Sequence, residues 1–397
     1  MKITEIKLFY INPGIRTSFG TGWSANYLLI KIFTDEGIYG VGEAFRTGKD
    51  KATEGALAEY ARWFVGKDPT RVLHNWYAIF RGARYPLGTA TTAALSAVEH
   101  ALWDISAKAL GVPVHRMLGG AFRDRIRVYG STYLIHPENF EKGDLAPFAA
   151  GCRVAKEKGF SAIKITPQPP NWQELTTLET IKGSVERVRA AREAVGDDVD
   201  IGLDYHGREL SPTVAIQLAK QLEEFDPFFL EEPALSETPD SLAEIKSKTT
   251  IPIAAGERII SRDRLREILE KRAIHIFQPE PAANGGIYET VKWAAMAELY
   301  HILVAPHHAC SPVSLMANIQ IDSVIPNFLI QECHVELDSE LIRRVFIDPP
   351  VVVDGSIEVP DKPGLGIDFD EKAATEFAYK PYDRPIIIRR DGSIGLE

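Results

Sequence analysis

Apolar and polar residues alternate over residues 2–10 and again over 27–33, the period-two signature of strands with one covered face. Asp35-Glu36-Gly37 then turns the chain into a third apolar run, 38–41, so the opening reads as an antiparallel meander. Between the first two strands, the stretch 12–24 is rich in Gly, Pro and Ser and carries Phe19 and Trp23, the composition of a mobile loop able to serve as a lid. From Thr89 to Leu110 the period changes to that of a helix, with Ala94, Ala97, Val98, Ala101, Leu102 and Ile105 repeating and Gly111 and Pro113 supplying the stop. Residues 1–124 thus predict an α+β domain.

Beyond Arg125 short apolar runs alternate with amphipathic helical stretches. The runs are IRVYG, SAIKIT, VDIGLDYH, FFLEEP, IPIAAGE, IHIFQPE, ILVAPHH and NFLIQECH, eight in all. Such alternation implies an α/β fold of parallel strands joined by right-handed crossovers. A polar residue closes seven of the runs: Lys164, Asp204, Glu231, Glu257, Glu280, His307 and Glu332, spaced by 40, 27, 26, 23, 27 and 25 residues. Most of these steps match one βα unit. The expected fold is a modified TIM (β/α)8-type barrel over 125–359 with the N-terminal α+β domain as a cap, and the polar residues stand where such barrels do chemistry, at the carboxyl ends of the strands. The tail, 360–397, is Gly/Pro-rich and then helical, and is expected to return to the capping domain.

Composition narrows the partners. The 397 residues are 45% hydrophobic and 25% charged, as in globular proteins, and the net charge of -10 without a Lys/Arg block disfavours nucleic acid. Three cysteines, Cys152, Cys310 and Cys333, make neither a disulfide framework nor a metal finger, so a reducing compartment is expected. Lys2, Glu5 and Lys7 interrupt the amino terminus, and no apolar run approaches a membrane span, so a cytoplasmic protein without membrane contact is expected.

Strand parity places Asp204 and His206 on one face and Tyr205 on the helix side, and pairs Lys164 with Thr166. The same parity sets His275 opposite Gln278 and Glu280, packed between barrel and helices. Asp204, Glu231 and Glu257 come from consecutive strands. Any one alone passes for a solvated loop acid, but three in register repel unless a hard cation neutralises them, and Mg2+ suits an all-carboxylate set. His307 ends the strand next to that of Glu280, which could orient the imidazole and raise its basicity, whereas adjacent His308 has the opposite parity. Lys164 could bind an anion, act as a base if its pKa falls, or simply pair with the acids.

The motifs LDYHGR (203–208), FLEEP (229–233), AAGER (254–258), QPEPAANGGI (278–287), APHH (305–308) and IQE (330–332), with ALWDISAKALGVPVHRMLGG (101–120) before them and KPGLG (362–366) after, resemble the acid-sugar dehydratases of the enolase superfamily. The likeness is to galactonate and gluconate dehydratases of the mandelate racemase subgroup and spans nearly the whole chain. It implies that Asp204, Glu231 and Glu257 hold Mg2+, that His307 removes the proton α to the substrate carboxylate with Glu280 orienting it, and that His206 protonates the leaving hydroxyl. It further implies that Glu332 binds the substrate carboxylate, that Lys164 stabilises the enolate, that the substrate is a sugar acid of 2R configuration, and that the protein is a homo-oligomer. Two positions depart from the pattern. Lys164-Ile165-Thr166 lacks the second lysine of two-base racemases, and Glu280 stands where the family usually has Asp. A racemase or epimerase of a 2-hydroxy acid and a catalytically silent sugar-acid-binding protein are the rival readings. Specificity is expected in the capping-domain loops at 12–24 and 46–51.

Overall fold

The computed structural model describes residues 1–14, 26–46, 48–131, 144–208, 211–333, 337–381 and 386–395. The expected lid residues Phe19 and Trp23 lie outside them.

Strands β1 (Ile3–Ile11), β2 (Tyr27–Thr34) and β3 (Tyr39–Ala44) form the expected antiparallel meander. The central strand departs from alternation: seven of the eight β2 residues are buried. Its second face is covered because the chain returns over it, and Lys31 there donates to the Phe369 carbonyl at 2.9 Å and pairs with Asp368 at 3.0 Å. The helix Thr89–Leu110 lies against the sheet and is buried over most of its length, ending on left-handed Gly111. Gly40 and Gly42 permit this contact, since a Cβ would stand 2.1 Å from the Ala101 carbonyl oxygen at one and 2.0 Å from that of Ala97 at the other.

Eight parallel strands follow: β4 (Arg125–Ser131), β5 (Ala162–Ile165), β6 (Asp200–Asp204), β7 (Phe229–Glu231), β8 (Ile253–Ala255), β9 (Ile276–Phe277), β10 (Leu303–Val304) and β11 (Gln331–Cys333). They run in the spatial order β10-β9-β8-β7-β6-β5-β4-β11. The Val304 amide donates to Asn327 O and that of Leu329 to Val304 O, both at 2.8 Å, which joins the last two strands and closes the ring. An additional strand, Ser356–Glu358, pairs antiparallel with the start of β4. Tyr129, Ala162, Phe229, Ala254, Ile276, Ala305 and Ile330 fill the barrel interior.

His275 corrects its expectation. It is exposed at the amino end of β9, accepting the Ile253 amide at Nδ1 (3.0 Å), because parity tells inward from outward but not how deep a residue sits along the barrel. Tyr205 is fully buried on the helix side. Among the described residues no helix is long and apolar enough to cross a membrane.

Candidate active site at the carboxyl ends of the barrel strands

Ladder register brings the first group together. Asp204 is directly opposite Glu231, Lys164 opposite Gly202, and Glu332 opposite Tyr129. The four charged side chains meet at the Lys164 ammonium, which lies 2.9 Å from Glu231, 3.1 Å from Glu332 and 3.2 Å from Asp204. Burial opposes the lysine's charge, yet Glu231, Glu332, Tyr129 and Asp204 together raise its pKa well above the usual value. Burial and then Asp204 push Glu231 up to about 8, even though Lys164 pulls the other way. Gln278 donates Nε2 to Glu231 at 2.8 Å, and Ser131 donates its hydroxyl to Glu332 at 2.6 Å.

The second group lies past the ends of its ladders. β9 stops at Phe277 and β10 at Val304, but Glu280 reaches His307 Nδ1 at 2.8 Å. The glutamate's other oxygen accepts the Ala282 amide at 3.0 Å and so caps the turn Pro281–Asn284. The His307 Nε2 is 3.0 Å from Glu257 and 3.8 Å from Glu332. Burial disfavours its charge, but Glu257, Glu332 and Glu280 raise its pKa well above the ordinary imidazole value. In turn His307 holds Glu257 down against the effect of burial.

His206 follows β6 in a left-handed conformation, φ 56°, so strand parity does not apply to it. The turn nevertheless returns its Nδ1 to 3.3 Å from Asp204, whose Oδ1 also accepts the His206 amide at 3.0 Å. Burial lowers His206 to about 4, only partly opposed by Asp204. Thr166 is buried and offers no second base beside Lys164. His308 turns its ring to the Ser311 carbonyl at 3.1 Å, while its amide donates to Glu332 at 3.1 Å.

All eight residues singled out in the sequence stand around one mouth. Asp204 and Glu231 face Lys164, and Glu257 faces His307; among the described residues no group of three or more His, Cys, Asp or Glu is placed as it stands to hold a metal ion. The donor set still fits a hard cation. It is all oxygen, five carboxylates (Asp204, Glu231, Glu257, Glu280, Glu332) outnumber Lys164 and His307, and two buried oxygens, Gln278 Oε1 and Glu232 Oε2, lack hydrogen-bond partners. Glu232, the second acid of FLEEP, was not singled out in the sequence, and strand alternation alone would send it outward. A positive φ of 39° turns it instead into a buried position where burial, then Glu257, raises its pKa well above the usual range. Two adjacent acids at a strand end were the available signal.

Comparison with known proteins agrees over the whole chain. Residues 3–119 match the family described as mandelate racemase/muconate lactonizing enzyme, N-terminal domain, and residues 148–373 match the enolase C-terminal domain-like family. The D-galactonate dehydratase of Ralstonia pickettii (strain 12J) is 34% identical and that of Xanthomonas euvesicatoria pv. vesicatoria (strain 85-10) 35%, each alignment covering 99% of both chains. Among solved structures, an enolase from Agrobacterium radiobacter with bound Na and L-malate superposes with TM-score 0.87 at 30% identity, covering 100% of each chain. The mandelate racemase/muconate lactonizing enzyme from Jannaschia sp. CCS1 gives 0.87 at 29%, also over 100% of each. The chain belongs to the mandelate racemase/muconate lactonizing enzyme family of the enolase superfamily.

Proposed function

We propose that the chain is an acid-sugar dehydratase, converting an aldonate such as D-gluconate or D-galactonate to the 2-keto-3-deoxy acid. The observation that carries this reading is an imidazole oriented by a buried carboxylate, His307 on Glu280, across the mouth from a second imidazole, His206, with the Lys164 ammonium among the carboxylates between their strands. Full-length likeness to D-galactonate dehydratases supports the substrate class.

A proton α to a carboxylate is a very weak acid, and its removal requires fixed positive charge beside the developing dianion. Asp204, Glu231 and Glu257 are the residues to hold Mg2+, with Gln278 and Glu232 adjoining. When bound, the ion supplies that charge at the substrate carboxylate. Glu280 at Nδ1 leaves the chemistry to the Nε2 of His307, which takes the C2 proton once Glu257 no longer pairs with it. Lys164 stabilises the enediolate, and Glu332 helps to place the substrate carboxylate beside it. His206, which burial holds neutral in the free site and which must first take up a proton, gives that proton to the 3-hydroxyl as the C3–O bond breaks. Water departs, and the enol tautomerises to the 2-keto acid. Thr166 cannot return a proton from the other face, which disfavours racemisation. Proton removal on the His307 side suits 2R acids.

Incubating the protein with a panel of aldonates and aldarates, with Mg2+ and after chelation, tests this. Expected are a 2-keto acid from a 2R substrate, turnover abolished by chelation and its recovery on adding Mg2+. Full turnover in metal-stripped protein would sink the metal assignment, and isotope exchange with inversion but no water loss would replace the dehydratase reading with a racemase.

A further inference from the structure

The capping strand β3 ends against the base and its partner, and two residues, Glu43 in the strand and Phe45 just after it, make the contact. Glu43 is fully buried, and its carboxylate accepts the Ser311 amide (2.9 and 3.1 Å), the Ser311 hydroxyl (2.6 Å) and the Ser314 amide (3.0 Å). Those donors are the N-cap and first turn of the helix Pro312–Val324, where a negative charge is favoured. The same helix holds the segment of the base, since Asn318 Nδ2 donates to the His307 carbonyl at 3.2 Å. Two residues beyond Glu43, the Phe45 amide donates to the Ala282 carbonyl at 3.0 Å, while the Ala282 amide holds Glu280 Oε1. The Phe45 ring stands edge-on to the His307 imidazole, centroids 5.9 Å apart at 68°.

His307 and Glu280 lie beyond the assigned strands; the His307 amide still donates to the Pro279 carbonyl at 3.0 Å, which sets the backbone spacing there but does not aim the two side chains. A glutamate has several torsions to immobilise, and its bond to Nδ1 orients the imidazole only while the turn carrying it is pinned. We propose that Glu43 and Phe45 are positioning residues for proton abstraction: the capping domain, through the end of β3, sets the His307–Glu280 geometry. The proposal rests on the reading of His307 as the base. It adds that the first domain contributes to the chemical step and not only to enclosing the substrate.

Glu43→Gln keeps the shape of the side chain but weakens its hold on Ser311 and Ser314, and Phe45→Leu keeps the backbone bond while removing the ring. On the panel substrate that the parent dehydrates best, Glu43→Gln is expected to lower kcat about 10- to 100-fold, as misplacement of a catalytic group does, with KM little changed. Phe45→Leu is expected to lower it less. The parent's downfield imidazole Nδ1–H NMR signal, identified by its loss in His307→Asn, should weaken in Glu43→Gln. If Glu43→Gln does not fold, Ser311→Ala removes the shortest contact of the same carboxylate and carries the same expectation. Parental kcat per folded molecule together with an unchanged imidazole signal would overturn the proposal. Failure of the functional reading is distinguishable, because His307→Asn would then retain α-proton exchange.

Discussion

The two halves of the mouth are built differently. Lys164, Asp204, Glu231 and Glu332 belong to β5, β6, β7 and β11, and paired backbones set their positions. Glu257, Glu280 and His307 follow the assigned ends of β8, β9 and β10; the His307 amide still donates to Pro279 O at 3.0 Å, but caps, turns and the neighbouring domain hold the side chains. Both halves bury carboxylates against one nitrogen base, Lys164 in the first and His307 in the second. A fixed charge can be built into a sheet, whereas a proton acceptor must be aimed, and with His307 proposed as that acceptor the aimed group is the one held by adjustable contacts. On the proposed reading, the barrel supplies the electrostatics and its junction with the cap supplies the orientation.

The largest expected effect removes the aimed group. His307→Asn should lose elimination by about 10⁴-fold, near the upper end for a general base, and should lose exchange of the substrate α proton in D2O as well. His206→Asn should block elimination but still exchange that proton, as NMR of unreacted substrate would reveal, provided the metal remains bound in both variants. Exchange surviving in His307→Asn and vanishing in His206→Asn would reverse the two roles. Elimination at near the parental rate in His206→Asn would assign the leaving-group proton elsewhere.

A smaller effect is expected from the fixed half. Lys164→Met removes the buried ammonium shared by Asp204, Glu231 and Glu332 and should cost about 10²- to 10³-fold in kcat, the range for losing one preorganised electrostatic contact. Because register holds its neighbours, the His307 imidazole signal should stay as in the parent. A large change in that signal would show that the halves are not independent, and would break the comparison.

The same division separates what was legible in the sequence from what was not. Lys164, Asp204, Glu231 and Glu332 could be placed because a period of two and a βα spacing determine which side chains face inward at a strand end. Glu257, Glu280 and His307 were found from spacing and motif, while their mutual contacts depend on turns that parity does not describe. Glu232 was passed over, and period-two alternation would not have placed it, because it does not describe a left-handed residue at a strand end. Neither Glu43 nor Phe45 could be found, since each acts on residues more than 200 positions away, Glu43 on Ser311 and Phe45 on Ala282, through a domain contact without a local pattern. Lys31 has the same origin: a strand read as half-exposed is covered by the returning chain.

The smallest expected effect concerns how pH acts on the two halves. Burial pushes Glu43 up to about 7, although bonds from Ser311 and Ser314 lower it, and neighbouring Glu280 adds to the rise. Tyr27 and Cys310 also feel the Glu43 charge. Glu99, on the helix Thr89–Leu110, is likewise raised to about 7 by burial, against the amides of Tyr288 and Ile287 and the Trp103 indole, with Glu289 raising it further. An acid whose folded pKa lies above its unfolded value binds its proton more tightly when docked. Between the ordinary carboxylate pKa and about 7, the docked state holds more protons than the opened one, so rising pH favours opening; below and above that window the contribution is flat. The contribution is on the order of 3 kcal/mol per fully buried group. After correction for intrinsic exchange, amides at Ser311, Ser314, Ile287 and Tyr288 should therefore lose protection from pH 5 to 8 relative to those of β5 through β7. Glu99→Gln should flatten the change at Ile287 and Tyr288 while leaving that at Ser311 in place. Equal pH dependence at both pairs in that variant would mean that the two acids do not act as separate clamps between cap and barrel.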